Sequence, residues 1–329
     1  MDGPERSGET AFTHRPVMVD EVVELLRPVP AGVVVDATVG GGGHAAAILT
    51  ALSHVTLLGL DQDEDALAAA TRNLAPFGDR VVLRQARFDA LAATMEELAV
   101  DDIAGALFDL GVSSPQFDRP ERGFSYRFEG PLDMRMDRSR PRSAADLVNG
   151  AGEAELAEIL RVYGDERYAS RIARAIVEHR PLHTTTELAE VVRSAIPAPA
   201  RRRGGHPAKR SFQALRIAVN DELDVLAAAL DQTIDALVPR GRAVVLSYHS
   251  GEDRVVADRF RTAATGGCVC PRGLPCTCGA RPRVRELRPL KRRPSVTERA
   301  ANPRATSAIL RAVERLDDRV DDQLERSAS

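Results

Sequence analysis

The sequence predicts an α/β fold: a mostly parallel sheet covered by helices on both faces and interrupted by an all-helical insertion. Three observations carry this expectation. Strand-length apolar runs alternate with helical spacings from His14 to Asp109. Only helical signals follow from Gly152 to Val219, and a further buried strand, Arg242–Leu246, comes after them. Repeated βα units with short links give a parallel sheet, and a sheet that resumes after a helical block has received an insertion.

Each element has its own reason. His14–Arg27 places Val19, Val22, Val23, Leu25 and Leu26 at helical spacing. Val33–Val35 is a β-branched strand ending in Asp36, and the glycine loop Gly40–Gly43 leads into a helix over His44–Leu52. Val55–Leu60 is a second strand ending at Asp61, followed by a helix over Asp63–Leu74 with Asp63 as N-cap. Arg80–Leu83, Leu91–Leu98 and Ile103–Phe108 read as strand, helix and strand, the last ending at Asp109. Ser113–Arg142, rich in Gly, Pro, Arg and Asp, reads as a long ordered loop. Glu155–Val162, Tyr168–His179 and Thr186–Ile196 are amphipathic helices, and Asp221–Val238 is one more helix. Ser307–Val313 adds a last strand, and Glu314–Ser329, with six acidic residues, reads as a frayed or solvated tail. The insertion divides the chain into 1–117, 118–216 and 217–329.

Composition narrows the class. The 329 residues carry 45 basic and 48 acidic side chains, net −3, with 43% apolar and 28% charged, the balance of an ordinary water-soluble globular chain. The longest mainly apolar runs are strand-length, short of the ~18 residues of a membrane span, and the polar, acidic Met1–Thr13 resembles neither a signal nor a transit peptide. Four Cys exclude a disulfide scaffold, so the expected compartment is the cytoplasm.

Several motifs carry chemistry. Asp36-Ala-Thr-Val-Gly40-Gly41-Gly42-Gly43-His44 links a strand to a helix, and glycines there let a ligand approach the backbone. Gly40-x-Gly42-x-x-Ala45 fits a dinucleotide fingerprint, so NAD competes with other nucleoside cofactors, and a tight turn without ligand is the plainer reading. Asp61, 18 residues beyond Gly43, ends the next strand, where a carboxylate accepts both ribose hydroxyls; otherwise it merely caps a helix. Phe88 is placed against an adenine ring or in the core. Asp109-Leu-Gly-Val-Ser113-Ser114-Pro115-Gln116-Phe117 loosely resembles the Ser-Pro-Pro-aromatic loop of enzymes that methylate exocyclic amines, with Gln116 at the second Pro. A cytosine amine is a poor nucleophile because its lone pair is shared with the ring. Acceptors on its N–H groups localise that pair, and a loop must hold donor and acceptor in attack geometry. Asp109, Ser113, Ser114 and the Pro115 carbonyl are the candidates, against a reading of the serines as turn residues.

Residues 201–210 contain five Lys/Arg and no acid. Arg201, Arg202, Arg203, Lys209 and Arg210 form a candidate phosphate stripe, with Phe212 as stacking platform or core residue. Arg272–Arg304 holds ten Lys/Arg and two Glu, a second basic stretch. In Ser247-Tyr248-His249-Ser250, His249 is a general base or, more simply, a structural hydrogen-bonded His. Cys268-x-Cys270-x5-Cys276-x-Cys278 offers four thiolates suited to structural zinc, although C-x-C is tighter than the usual ligand spacing. Reduced loop thiols or a redox pair are the alternatives.

The ordered set of motifs resembles the MraW/RsmH family of bacterial ribosomal RNA methyltransferases. It comprises His14-Arg-Pro-Val-Met18, Asp36–His44, Leu60-Asp-Gln-Asp63, Asp109–Gln116, Arg122-Gly-Phe-Ser-Tyr126, Gly130-Pro-Leu-Asp-Met-Arg-Met136, His206–Gln213, Ser247–Ser250 and Asn302-Pro-Arg-Ala-Thr-Ser-Ala308. The resemblance implies a Rossmann-like S-adenosylmethionine-dependent methyltransferase fold with an inserted helical substrate domain. It also implies N4-methylation of a decoding-centre cytidine of 16S rRNA in the small ribosomal subunit, and a homodimer. Carried over, cofactor contacts fall on Gly42, Gly43, His44, Asp61, Phe88, Asp109 and Gln116. Gly251 departs from the family's bulky apolar residue, and the Cys cluster is absent from some members. The competing readings are an NAD-dependent oxidoreductase and a non-catalytic RNA-binding assembly protein.

Overall fold

The computed structural model describes residues 16–111, 117, 119–201, 205–271 and 277–317. Among them, β1 (Gly32–Asp36), β2 (Val55–Asp61), β3 (Val81–Gln85), β4 (Ile103–Asp109), β5 (Leu237–Ser247), β6 (Val284–Glu286) and β7 (Ile309–Arg315) form one sheet in the order β3-β2-β1-β4-β5-β7-β6. The β1–β5 pairs are parallel, whereas β7 runs antiparallel between β5 and β6. The central strands are apolar without alternation because both faces are covered. Val35, Leu58, Phe108 and Val245 enter one core, and their chain neighbours Val34, Leu107 and Val244 enter the opposite one. This is the mostly parallel α/β sheet, covered on both faces and interrupted by a helical insertion, that the sequence predicts. The antiparallel β7 distinguishes it from the 3-2-1-4-5-6 dinucleotide-binding sheet.

Helices α1 (Val19–Leu26), α2 (Gly43–Ala51) and α3 (Glu64–Leu74) pack on one side, with α4 (Leu91–Glu97) on the other. Asp63 caps α3 by accepting the Asp65 N–H at 3.0 Å, as its sequence position predicts. The helical block contains α5 (Ala144–Gly150), α6 (Glu153–Gly164), α7 (Ala169–Glu178), α8 (Thr185–Ala195), the short α9 (Ala198–Arg201) and α10 (Lys209–Asn220). Its core runs from Phe124 to Val219 and is separate from the sheet cores. Helices α11 (Glu222–Ala236) and α12 (Ser250–Thr265) return to the sheet, and α13 (Val296–Ala301) precedes β7.

Three differences from the sequence reading have local causes. The helical block begins earlier, at α5, because Ser143 and Asp146 form a reciprocal capping box. Helix α12 begins at a His N-cap, a residue type outside the usual Ser/Thr/Asp/Asn set. Glu314 belongs to β7 rather than to a frayed tail, because Arg242 and Arg285 hold its buried carboxylate at 2.6 Å each. Residues 318–329 lie outside the described set.

Arg122 ties the long loop to the sheet. Its guanidinium donates to Asp63 Oδ2 at 2.7 Å and to the Arg135 and Met136 carbonyls at 3.1 Å each. The Asn220 side chain accepts the Met136 N–H at 2.9 Å and donates to the Met134 carbonyl at 2.8 Å. The end of α10 and the start of α3 therefore grip the same stretch of loop.

Candidate active site

Strands β1, β2 and β4 each end in an aspartate: Asp36, Asp61 and Asp109. Strands β1 and β4 flank the point where strand order reverses, the usual ligand crevice of an open α/β sheet. The turn after β1 is built for close approach. Gly42 is the N-cap of α2 at φ 82°, a left-handed conformation that only glycine adopts without strain. A Cβ on Gly43 would lie 2.5 Å from Pro16 Cγ, so Gly43 lets the segment at residues 16–18 close over the helix start.

Asp61 is half-buried and accepts the Gly40 N–H through Oδ2 and the Asp63 N–H through Oδ1, each at 2.9 Å. Burial pushes its pKa up to about 6, against the pull of those two N–H groups. Asp36 is fully buried beneath the turn, and burial pushes it up to about 7 despite the attraction of His44. His44 is buried with both ring nitrogens facing acceptors. Nε2 lies 2.9 Å from the Val17 carbonyl, and Nδ1 lies 3.4 Å from Asp109 Oδ2. Only the imidazolium donates at both positions. Burial opposes that charge, but the Asp109 hydrogen bond and the Asp109 and Asp36 charges outweigh it and raise the His44 pKa.

Asp109 is held from three sides. The Tyr248 hydroxyl donates to Oδ1 at 2.6 Å, His44 faces Oδ2, and the Asp109 N–H donates to Thr38 Oγ1 at 2.7 Å. Burial first, and the neighbouring Asp109 charge second, drive the Tyr248 pKa well above the ordinary phenol value. Tyr248 is therefore a fixed O–H donor. A carboxylate has about four lone-pair sites, so these contacts leave Asp109 able to accept from a ligand.

The structure brings Gly42, Gly43, His44, Asp61 and Asp109 together around this turn. Phe88, half-buried after β3, meets Phe108 edge-on at 5.9 Å. Ser113, Ser114, Pro115 and Gln116 lie outside the described residues. Asp36, Thr38 and Tyr248 are site residues that the sequence reading did not single out. Asp36 carries the same signal as Asp61 and Asp109, a carboxylate closing a buried strand. Tyr248 had none, because its partner lies 139 positions away. His249 takes the plainer of its two readings: it caps α12, accepting the Glu252 N–H at 3.3 Å. Its Nε2 lies 3.0 Å from the buried Glu252 carboxylate.

The proposed stacking role of Phe212 is corrected. Phe212 is buried in the helical core, edge-on to Tyr126 at 5.7 Å, with no face open to a base. Arg201 caps α8, donating to the Ile196 carbonyl at 2.7 Å. Lys209 and Arg210 are exposed, while Arg202 and Arg203 lie outside the described residues. Beside them, Tyr126 stacks on exposed His206 at 4.3 Å and 14°, and exposed Arg127 lies 6.0 Å from the Tyr126 ring. The second basic stretch is partly neutralised by Arg283–Asp235, Arg285–Glu314 and Lys291–Asp253 pairs. A cavity of about 590 Å³ opens between the start of α3 and the loop at 136–140, walled in part by Arg87, Arg122, Arg138 and Arg140. No helix of the described residues is long and apolar enough to cross a membrane.

Asp36, Asp61 and Asp109 ring the glycine turn with acceptors, and the antiparallel β7 sets the sheet apart from the 3-2-1-4-5-6 dinucleotide-binding order.

Comparison with known proteins agrees. A model of the MraW methylase family matches residues 11–316. A "Ribosomal RNA small subunit methyltransferase H" from Heliobacterium modesticaldum is 53% identical over 311 residues, covering 93% of this chain and 99% of that protein. One of the same name from Acidothermus cellulolyticus is 55% identical over 322 residues, covering 96% and 97%. With the fold, the strand-end carboxylates and this match in agreement, the chain belongs to the MraW methylase family.

Proposed function

We propose that this protein is an S-adenosylmethionine-dependent ribosomal RNA methyltransferase of the small subunit, acting on the N4 amine of cytidine 1402 in the decoding centre of 16S rRNA. The observation that carries the reading is the carboxylate-lined glycine turn with Asp109 locked between His44 and Tyr248, in a chain about half identical to named small-subunit rRNA methyltransferases. S-adenosylmethionine supplies an electrophilic methyl group on sulfur. Asp61 binds the ribose hydroxyls through its free lone pairs. Gly42 and Gly43 shape the turn against which the cofactor lies, with Phe88 towards the adenine and Gln116 from the following loop. Asp109 accepts a hydrogen bond from the target amine, drawing the nitrogen lone pair out of the ring, with Ser113, Ser114 and the Pro115 carbonyl as further acceptors. Passage of the methyl group from sulfur to the amine nitrogen would break the S–C bond and release one amine proton to solvent, with Asp109 orienting the amine. His44 and Tyr248 hold Asp109 in place for this contact.

The test is methyl transfer with labelled S-adenosylmethionine onto naked 16S rRNA, small subunits and whole ribosomes from cells lacking the protein. Nuclease digestion and mass spectrometry then locate the label. N4-methylcytidine at the decoding centre is expected. Cofactor and RNA binding without label on any substrate would instead identify a non-catalytic assembly protein.

Two further results are expected. Because the native pKa values of Asp36 and Asp61 lie above the ordinary carboxylate value, the ligand-free fold holds extra protons between the two values. It loses stability as pH rises through that window, and a sulfonium restores the balance by favouring the ionised forms. Affinity for S-adenosylmethionine should therefore climb from about pH 5.5 to about pH 8, with proton release seen by calorimetry in buffers of different ionisation heat. A pH-independent Kd would refute the charge assignment.

For RNA, we place the insertion at 118–216 on the substrate, with Lys209 and Arg210 on phosphates. The exposed His206–Tyr126 stack replaces Phe212 as the aromatic platform. His206→Ala should weaken RNA binding about tenfold, in line with ~1–3 kcal/mol per stacked base. Cofactor affinity should not change, and equal RNA affinities in a filter-binding assay would remove the platform.

A further inference from the structure

We propose that Cys268, Cys270 and Cys278 bind a structural Zn²⁺ ion, at a site remote from the methyl-transfer centre and independent of the function proposed above. The three Sγ atoms all lie within 4.8 Å of one another. Cys268 and Cys278 Sγ are 3.7 Å apart. A tetrahedral zinc with Zn–S bonds of ~2.3 Å puts its sulfurs roughly 3.8 Å apart, whereas a disulfide needs about 2.0 Å. Cys268 and Cys278 thus already have the spacing of an edge of a zinc tetrahedron, with the Cys270 Sγ within 4.8 Å of both. Cys276, the fourth cysteine of the sequence motif, lies outside the described residues.

The surrounding chain explains why a metal is needed. Helix α12 ends at Gly266, and Cys268 N–H donates back to the Thr265 carbonyl at 3.1 Å. The chain returns so closely that a Cβ on Gly266 would lie 2.4 Å from the Arg281 backbone, and Arg283 N–H donates to the Ala263 carbonyl at 2.8 Å. The neck of the excursion is therefore pinned. Within it, no described residue from Gly266 to Arg283 is buried, and Val269 is 87% exposed. Ordering each residue costs about 1–2 kcal/mol in backbone entropy, and the described residues of this segment bury no apolar side chain to offset it. Metal ligation supplies that stabilisation in small coreless units. The role is structural: α12, at 16 residues or roughly 24 Å, separates the cysteines from Tyr248 and Asp109.

The experiment is metal analysis of the full-length protein purified under reducing, chelator-free conditions. About one zinc per chain is expected, falling below ~0.2 in the Cys268→Ser/Cys278→Ser double variant with an unchanged circular dichroism spectrum. Cobalt substitution should give the sulfur-to-metal charge-transfer band and the intense visible bands of tetrahedral thiolate ligation. Chelation should speed tryptic cleavage between Gly266 and Arg283. Less than ~0.2 zinc per chain even after one equivalent of added ZnCl₂ would overturn the proposal. So would zinc retained in full by the double variant, or a disulfide among these residues in anaerobically isolated protein.

Discussion

Asp109→Asn is expected to lower the single-turnover rate of methyl transfer by ~10²–10³-fold, the range for losing one preorganised electrostatic partner. The carboxamide keeps the shape of the side chain but replaces one acceptor oxygen with a donor. That group would face either the Tyr248 hydroxyl, 2.6 Å from Oδ1, or the His44 ring, 3.4 Å from Oδ2. It also removes the negative charge next to the expected sulfonium. Tyr248→Phe removes one hydrogen bond and leaves the charge, so its loss should be nearer tenfold, matching ~1.5 kcal/mol. The order of the two variants is the test. Asp109→Asn within a few-fold of the parent would show that the amine finds its acceptor elsewhere.

Arg122→Met is expected to destabilise the fold by about 3–5 kcal/mol, because removing one partner of a buried ion pair strands the other charge. Arg122 and Asp63 are 3% and 6% exposed and meet at 2.7 Å. The same guanidinium satisfies the Arg135 and Met136 carbonyls. Scanning calorimetry should show the transition falling by roughly 10 °C, at ~2–4 °C per kcal/mol for a chain of this order. Asp63→Asn added to Arg122→Met should recover part of the loss by removing the stranded charge. A shift below ~2 °C would mean that water reaches the pair.

The central sheet was legible because burial on both faces leaves uninterrupted apolar runs such as Val55–Leu60, with each aspartate of the candidate site at the end of one. The site was legible as far as its residues follow one another in the chain: the glycine turn, Asp61 and Asp109. It was not legible where side chains meet across long separations, as Tyr248 does with Asp109. The three-residue strand β6 is too short to show a pattern, and its place beside β7 comes from pairing, not from propensity. Of the two readings of Phe212, stacking platform or core residue, its helical spacing favours the core. With Leu215 and Val219 it recurs at i, i+3 and i+7, and that face turns inward, whereas the basic neighbours Lys209 and Arg210 are exposed.

The polar chain leading away from Asp109 crosses the boundary between the sheet and the helical block. The Tyr248 N–H donates to Glu252 at 2.7 Å, Glu252 lies 4.0 Å from Arg216 of α10, and Arg216 donates to Glu222 of α11 at 2.7 and 2.8 Å. The helical block is thus not a cassette that can be exchanged at its ends. A chimera that takes its block from a distant relative inherits Arg216 from one parent and Glu222, Tyr248 and Glu252 from the other. These positions must change as a set, and a working graft has to be cut around the buried charges rather than at the chain crossings.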